Sequence, residues 1–139
     1  MELNEIYQEY LDMDNDTRNV ITKECVTSIY DYLKDNYGQT SAFHSLTNMF
    51  SVFGCINGGI SEVEYELFVF STGIECTYDN FYEATKNGTS ECNIENLMDD
   101  LEDEEEDFIL DVFMLAILIF TSNGTLTVEE QEFIEKFFL

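Results

Sequence analysis

Apolar residues recur along this chain three and four positions apart, the period of a helix packed on one side. Leu3, Ile6, Tyr7, Tyr10 and Leu11 form a first stripe, which Asp14-Asn15-Asp16 interrupts. Ile21, Cys25, Ile29 and Leu33 follow, Val26 and Tyr30 widen their face, and Gly38 is placed to close that helix as a C-cap. Phe43, Leu46, Phe50 and Phe53, with Met49 and Val52 beside them, mark a third helix, stopped by Asn57-Gly58. A fourth is expected from about Glu62 to Ser71, ending near Gly73. Short helices are expected over 78–86 and 91–101, the first stopped by Asn87-Gly88 and the second opened by Ser90 as N-cap. A long helix over 108–122 and a last one from Val128 complete the chain. No stretch alternates with period two for long enough to make a strand. The expected fold class is therefore all-α, a bundle of about seven or eight helices in a single domain, 1–139.

Residues Val112 to Phe120 are apolar without a break. That run is shorter than the roughly 20 residues a membrane span requires, so it is expected to be a central helix buried all round. Met49, Phe50, Phe53, Phe113, Ala116, Leu118 and Phe120 are expected in the core.

The chain repeats itself. Asn57-Gly-Gly-Ile-Ser-Glu-Val-Glu-Tyr-Glu-Leu-Phe aligns with Asn123-Gly-Thr-Leu-Thr-Val-Glu-Glu-Gln-Glu-Phe-Ile. An apolar helix precedes each copy and an amphipathic one follows. Two copies are too few for a solenoid and point instead to pseudo-symmetric helix–turn–helix halves, about 43–73 and 108–139. A calcium-binding loop is excluded. With Gly58 or Gly124 at its invariant glycine, the leading ligand positions fall on Phe53 and Cys55, or on Ile119 and Thr121, and an apolar side chain coordinates no calcium. Helix capping accounts for the motif: Asn57-Gly58 and Asn123-Gly124 close one helix. Ser61-x-x-Glu64 and Thr127-x-x-Glu130 then open the next as capping boxes.

The segment around the second copy, Phe108-Ile-Leu-Asp-Val-Phe-Met-Leu-Ala-Ile-Leu-Ile-Phe-Thr-Ser-Asn-Gly-Thr-Leu-Thr-Val-Glu-Glu, resembles the tellurite-resistance TerB family, whose hallmark is an apolar helix, Asp-Gly, an aliphatic, Ser or Thr, two residues and Glu. The resemblance covers about 43–139, and the Asn57 copy is the looser one. It implies an all-α fold with two related halves, no enzymatic activity, and a cytosolic role in stress or defence. It also implies an acidic patch that binds metal ions or partner proteins. The family's Asp is Asn57 in one copy and Asn123 in the other, which leaves Glu64 and Glu130 as the carboxylates of the motif. No cofactor is required on this reading. Any divalent cation is expected to bind weakly, at Glu64 and Glu130 or at the acidic run described next.

Composition sharpens the picture chiefly through charge. Thirty Asp and Glu face five Lys and Arg, for a formal net charge of −25. Every residue from Asp99 to Asp107 is acidic except Leu101, namely Asp99, Asp100, Glu102, Asp103, Glu104, Glu105, Glu106 and Asp107. Direct nucleic-acid binding needs cations to displace the counterions of phosphate, so DNA and RNA are excluded as direct partners. What such a surface attracts is a cation or a basic protein. Two readings of the run stand. It is a solvated helix end whose charges favour the N-terminal dipole of the apolar helix, or it is the face that meets a basic protein surface. The second leaves two functions open: a TerB-like stress or defence adaptor, and a stoichiometric inhibitor whose carboxylates mimic a phosphate backbone in the groove of a nucleic-acid-binding enzyme.

Hydrophobic residues make up 45% of the chain, ample for a core, and proline is absent, which suits helices joined by short turns. Cys25, Cys55, Cys76 and Cys92 contain no Cys-x-x-Cys pair, and the start Met1-Glu-Leu-Asn-Glu lacks the pattern of a signal peptide, so reduced thiols in a cytoplasmic protein are expected. His44 is the lone histidine and has only Ser41 on its helix face, with no oxyanion or phosphate-loop feature nearby; an enzyme is not expected.

Overall fold

The computed structural model describes residues 3–54, 56, 61–85, 97 and 99–138, with the backbone alone at 84 and 85. It is an all-α bundle, and no strand occurs among the described residues. The helices are α1 (Leu3–Leu11), α2 (Asn15–Tyr37), α3 (Gln39–Gly54), α4 (Glu62–Thr72), α5 (Tyr78–Thr85), α6 (Glu106–Phe120) and α7 (Val128–Phe138). A 3-10 turn, Thr121–Asn123, prolongs α6, and residues 97 and 99–102 are helical as well. Asn57, Gly58 and most of the expected 91–101 helix lie outside the described residues. No described helix is long and apolar enough to cross a membrane.

Local chemistry sets the boundaries. The Asp14 carboxylate accepts the Thr17 backbone N–H at 2.7 Å and starts α2, and this bond holds its pKa below the ordinary value. Gly38, at φ 92°, donates its N–H to Lys34 O and ends α2. Its carbonyl already accepts from Ala42, so α3 begins at once. Gly73 ends α4 in the left-handed region at φ 73°. α6 runs two residues earlier at both ends than the 108–122 expected. Beyond Phe120 the hydroxyls of Thr121 and Ser122 bond back to Ile117 O and Ile119 O, and the turn tightens.

α2 lies at the centre of the packing, against α3, α4 and α6 at once. The C-terminal half of α6 is enclosed: Val112 and Leu115 through Ile119 are 0% exposed and Phe120 1%. The run 112–120 is not buried all round as expected, because Phe113 and Met114 are only partly buried. Leu110 is 52% exposed, and Phe113, expected in the core, is partly buried and packs on Phe138 at the margin. Met49, Phe50, Phe53, Ala116, Leu118 and Phe120 are buried as expected. Phe53, Phe120 and Phe133 meet edge to face with ring centroids 5.8–5.9 Å apart, so the two repeat halves share one aromatic cluster. Fully burying each such side chain is worth about 1.5–3 kcal/mol.

Candidate functional site

Two places gather the chemistry that the sequence singles out. The first is the junction of the repeats. Ser61 Oγ accepts the Glu64 N–H at 3.2 Å, while Glu64 Oε1 accepts the Ser61 N–H at 3.0 Å. Thr127 and Glu130 repeat the arrangement at 3.2 and 3.0 Å, and the Thr127 hydroxyl also donates to Glu130 Oε1 at 3.0 Å. The two helix starts are built alike, and Ser61 and Thr127 are the caps expected of them. Gly124 takes the left-handed conformation at φ 82° and closes the 3-10 turn with its N–H on Thr121 O.

The halves are also bonded to each other. Ser61 Oγ donates to Asn123 Oδ1 at 3.0 Å, and Asn123 Nδ2 donates to Glu64 Oε1 at 3.4 Å. Glu64 and Glu130 are 5% and 4% exposed. Burial pushes the Glu64 carboxyl up to about 7, and the charge of Glu130 pushes the same way against the hydrogen bonds from Ser61 and Asn123.

The cation that the TerB resemblance implies can be tested against these atoms. A hard divalent ion needs several oxygens free to converge on it. Here Oε1 of each glutamate is engaged in its own helix cap, and Asn123 offers Glu64 an N–H where a metal site would offer oxygen. No group of three or more His, Cys, Asp or Glu among the described residues is placed to hold a metal. As described, Glu64, Glu130 and Asn123 do not fit a tightly held cation; they fit a hydrogen-bonded joint.

The second place is the acidic run. Asp99, Asp100, Glu102, Asp103, Glu105, Glu106 and Asp107 are exposed, Glu104 is half-buried and Leu101 is buried. Glu106 and Asp107 occupy the first turn of α6, as the dipole argument expects. The sequence gives no hint of what happens to Glu104. Tyr32 Oη donates to its Oε2 at 2.6 Å, and Tyr37 Oη donates to its Oε1, so two phenols of α2 grip one carboxylate. Tyr32 Oη also accepts the Glu105 backbone N–H at 3.3 Å, and the Tyr32 ring stacks on Phe108 at 4.3 Å between centroids. The bond to Glu104 pushes the Tyr37 phenol up to about 12 and raises Tyr32 as well.

Beside this clamp opens a cleft of about 400 Å³ between the ends of α2 and α6, α3 and the acidic turn. Leu33, Met49 and Phe108 make its apolar floor, Ser41, Ser45 and Asn48 one polar wall, and Asp99, Asp100 and Asp103 the other. No basic residue is among the described residues that line it. His44 is exposed and in edge contact with Phe43; it is not part of this cleft. Comparison with protein-family models, with curated proteins and with solved structures found no match.

Proposed function

We propose that this chain is a non-enzymatic binding protein of the cytoplasm, a TerB-like stress or defence adaptor that takes a basic protein surface on the face formed by Asp99–Asp107. The observation that carries this reading is the Glu104 clamp. A flexible acidic loop loses conformational entropy when a partner orders it. A turn already held to α2 by two phenols, with its other carboxylates exposed, meets a partner preorganised. The overall charge of −25 steers a basic partner to this surface and repels nucleic acid. Divalent cations gather at the run as weakly held counter-ions, and no cofactor takes part.

The test is binding of basic proteins as a function of salt. Contacts between exposed charges weaken as the Debye length falls from about 10 Å at 0.1 M to about 3 Å at 1 M salt. Charge-neutral replacement of Glu105, Glu106 and Asp107 by Gln and Asn is expected to slow association while leaving the fold intact. Binding unchanged by salt and by those substitutions rules the acidic face out. A partner that binds through a nucleic-acid groove, and is displaced by duplex DNA, moves the reading to the phosphate-mimicking inhibitor.

A further inference from the structure

We propose that the cleft between α2, α3 and the acidic turn is a receptor for a single arginine side chain of the partner protein. The inference rests on the acidic-face reading and assigns that face a specific pocket.

The lining argues for an elongated cation with an apolar stem. A hydrated inorganic ion gains nothing from a floor of Leu33, Met49 and Phe108, and a neutral apolar group would leave the carboxylates of Asp100 and Asp103 desolvated without a partner. A basic side chain satisfies both surfaces, because its methylene stem lies on apolar groups while its head stays polar. The α3 wall selects between lysine and arginine. Ser41, Ser45 and Asn48 of α3 line the cleft together with the carboxylates, and each brings a side-chain oxygen able to accept a hydrogen bond. A guanidinium carries five N–H donors in a planar fork and can address both walls together, whereas an ammonium is a compact point charge that is strongly hydrated.

The carboxylates are also held in place. Glu104 lines the same cleft, and its clamp by Tyr32 and Tyr37 fixes the backbone from which Asp103 projects. Ser45 and Asn48 are half-buried on α3, one helical turn apart, and share a face. The pocket thus stands on two helices and an anchored turn, with a cavity, an apolar floor and, among its described lining residues, charge of one sign.

The experiment uses the full chain and N-acetyl-arginine methylamide as probe, followed by amide chemical shifts at low ionic strength. The expected result is a saturable one-site titration in the millimolar range. Its shifts are confined to the end of α2, residues 41–49 of α3, the 99–104 turn and Phe108. Affinity should be at least about fivefold weaker for the lysine analogue and undetectable for the norleucine analogue. Asp100→Asn with Asp103→Asn should lower affinity about tenfold. Ser45→Phe, which fills the cleft without changing charge, should abolish binding. Circular dichroism reports whether each variant is folded. Shifts scattered over the whole acidic surface without saturation overturn the proposal, as does equal binding by the Ser45→Phe protein. An arginine-rich peptide separates the two levels. If it binds with shifts on 105–107 but none on 41–49, the pocket is wrong and the acidic face stands; if it does not bind, both fall.

Discussion

Arg18, a residue only 4% exposed, donates from Nη1 to the backbone carbonyl of Leu118 at 3.0 Å. The same nitrogen donates to Thr121 Oγ1 at 2.7 Å, and Nη2 donates to Tyr10 O at 2.5 Å. One of the five basic residues of this acidic chain is thus buried, and these three acceptors are neutral. Its charge sits where the carbonyls of α1 and α6 end, the negative pole of each helix.

Replacing Arg18 should therefore unlock two helix ends together. Arg18→Met leaves buried carbonyls without donors and is expected to cost about 3 kcal/mol. Arg18→Lys keeps the charge but not the fork, and should recover less than half of that loss. Urea unfolding with an unchanged slope gives the comparison. A loss below about 1 kcal/mol for Arg18→Met would show that these bonds do not hold the helices.

Glu64 makes stability depend on pH in a definite direction. Its pKa rises from an ordinary 4.5 to about 7 on folding, so between those values the folded chain binds more proton than the unfolded chain. Stability is then lost as pH climbs through that window, by about 3 kcal/mol at most. The many exposed carboxylates drive the same trend through repulsion, so the difference between wild type and Glu64→Gln is the quantity to measure. Glutamine keeps the capping geometry without the charge. The variant should gain on wild type from about pH 4.5 to about pH 7 and level off above it; parallel curves would mean that Glu64 titrates normally.

The two capping boxes should be worth similar amounts. Ser61→Ala and Thr127→Ala are each expected to destabilise by about 1 kcal/mol. Ser61 also bonds Asn123 in the other half of the chain, so Ser61→Ala should exceed Thr127→Ala by a few tenths of a kcal/mol. Thermal melts of the two variants and of the double mutant settle the order.

The clamp on Glu104 can be read out by light. With the Glu104 bond in place, the Tyr37 phenol ionises near 12 and Tyr32 is displaced upward too. Tyr7, Tyr10 and Tyr78 are raised too, chiefly by burial, so a titration of phenolate absorbance should show two more late tyrosines in the wild type than in Glu104→Gln. Both should return toward the ordinary value of 10.0 in Glu104→Gln. Early ionisation of both in the wild type would remove the clamp, and with it the preorganised turn.

The helices were legible wherever one face alone had to be apolar. The spacing of Ile29 and Leu33 on α2, and of Phe50 and Phe53 on α3, needs nothing from the rest of the chain to be recognised. So were the caps at Ser61 and Thr127, because a capping box closes within four residues. Phe113 and Met114 show the limit: an unbroken apolar run hides which of its positions lean outward, since no polar residue within 112–120 marks them. The Glu104 clamp was not legible at all. Its tyrosines lie 72 and 67 residues away, and no local pattern announces that a phenol will dock on one carboxylate among eight. Arg18 was hidden for the same reason, its acceptors on α6 and the turn being 100 and 103 residues distant.

The place of α2 bears on how the two repeats came to depend on each other. It belongs to neither half, yet it packs against α3 and α4 of one and α6 of the other. A peptide carrying only residues 39–73, or only 106–138, lacks that shared wall and leaves its apolar face in water. Each is expected to remain uncollapsed alone and to gain helix only when the 15–37 segment is supplied in trans. The repeat is thus one of motif and not of autonomy, since α2 provides the second surface on which both copies bury their apolar faces.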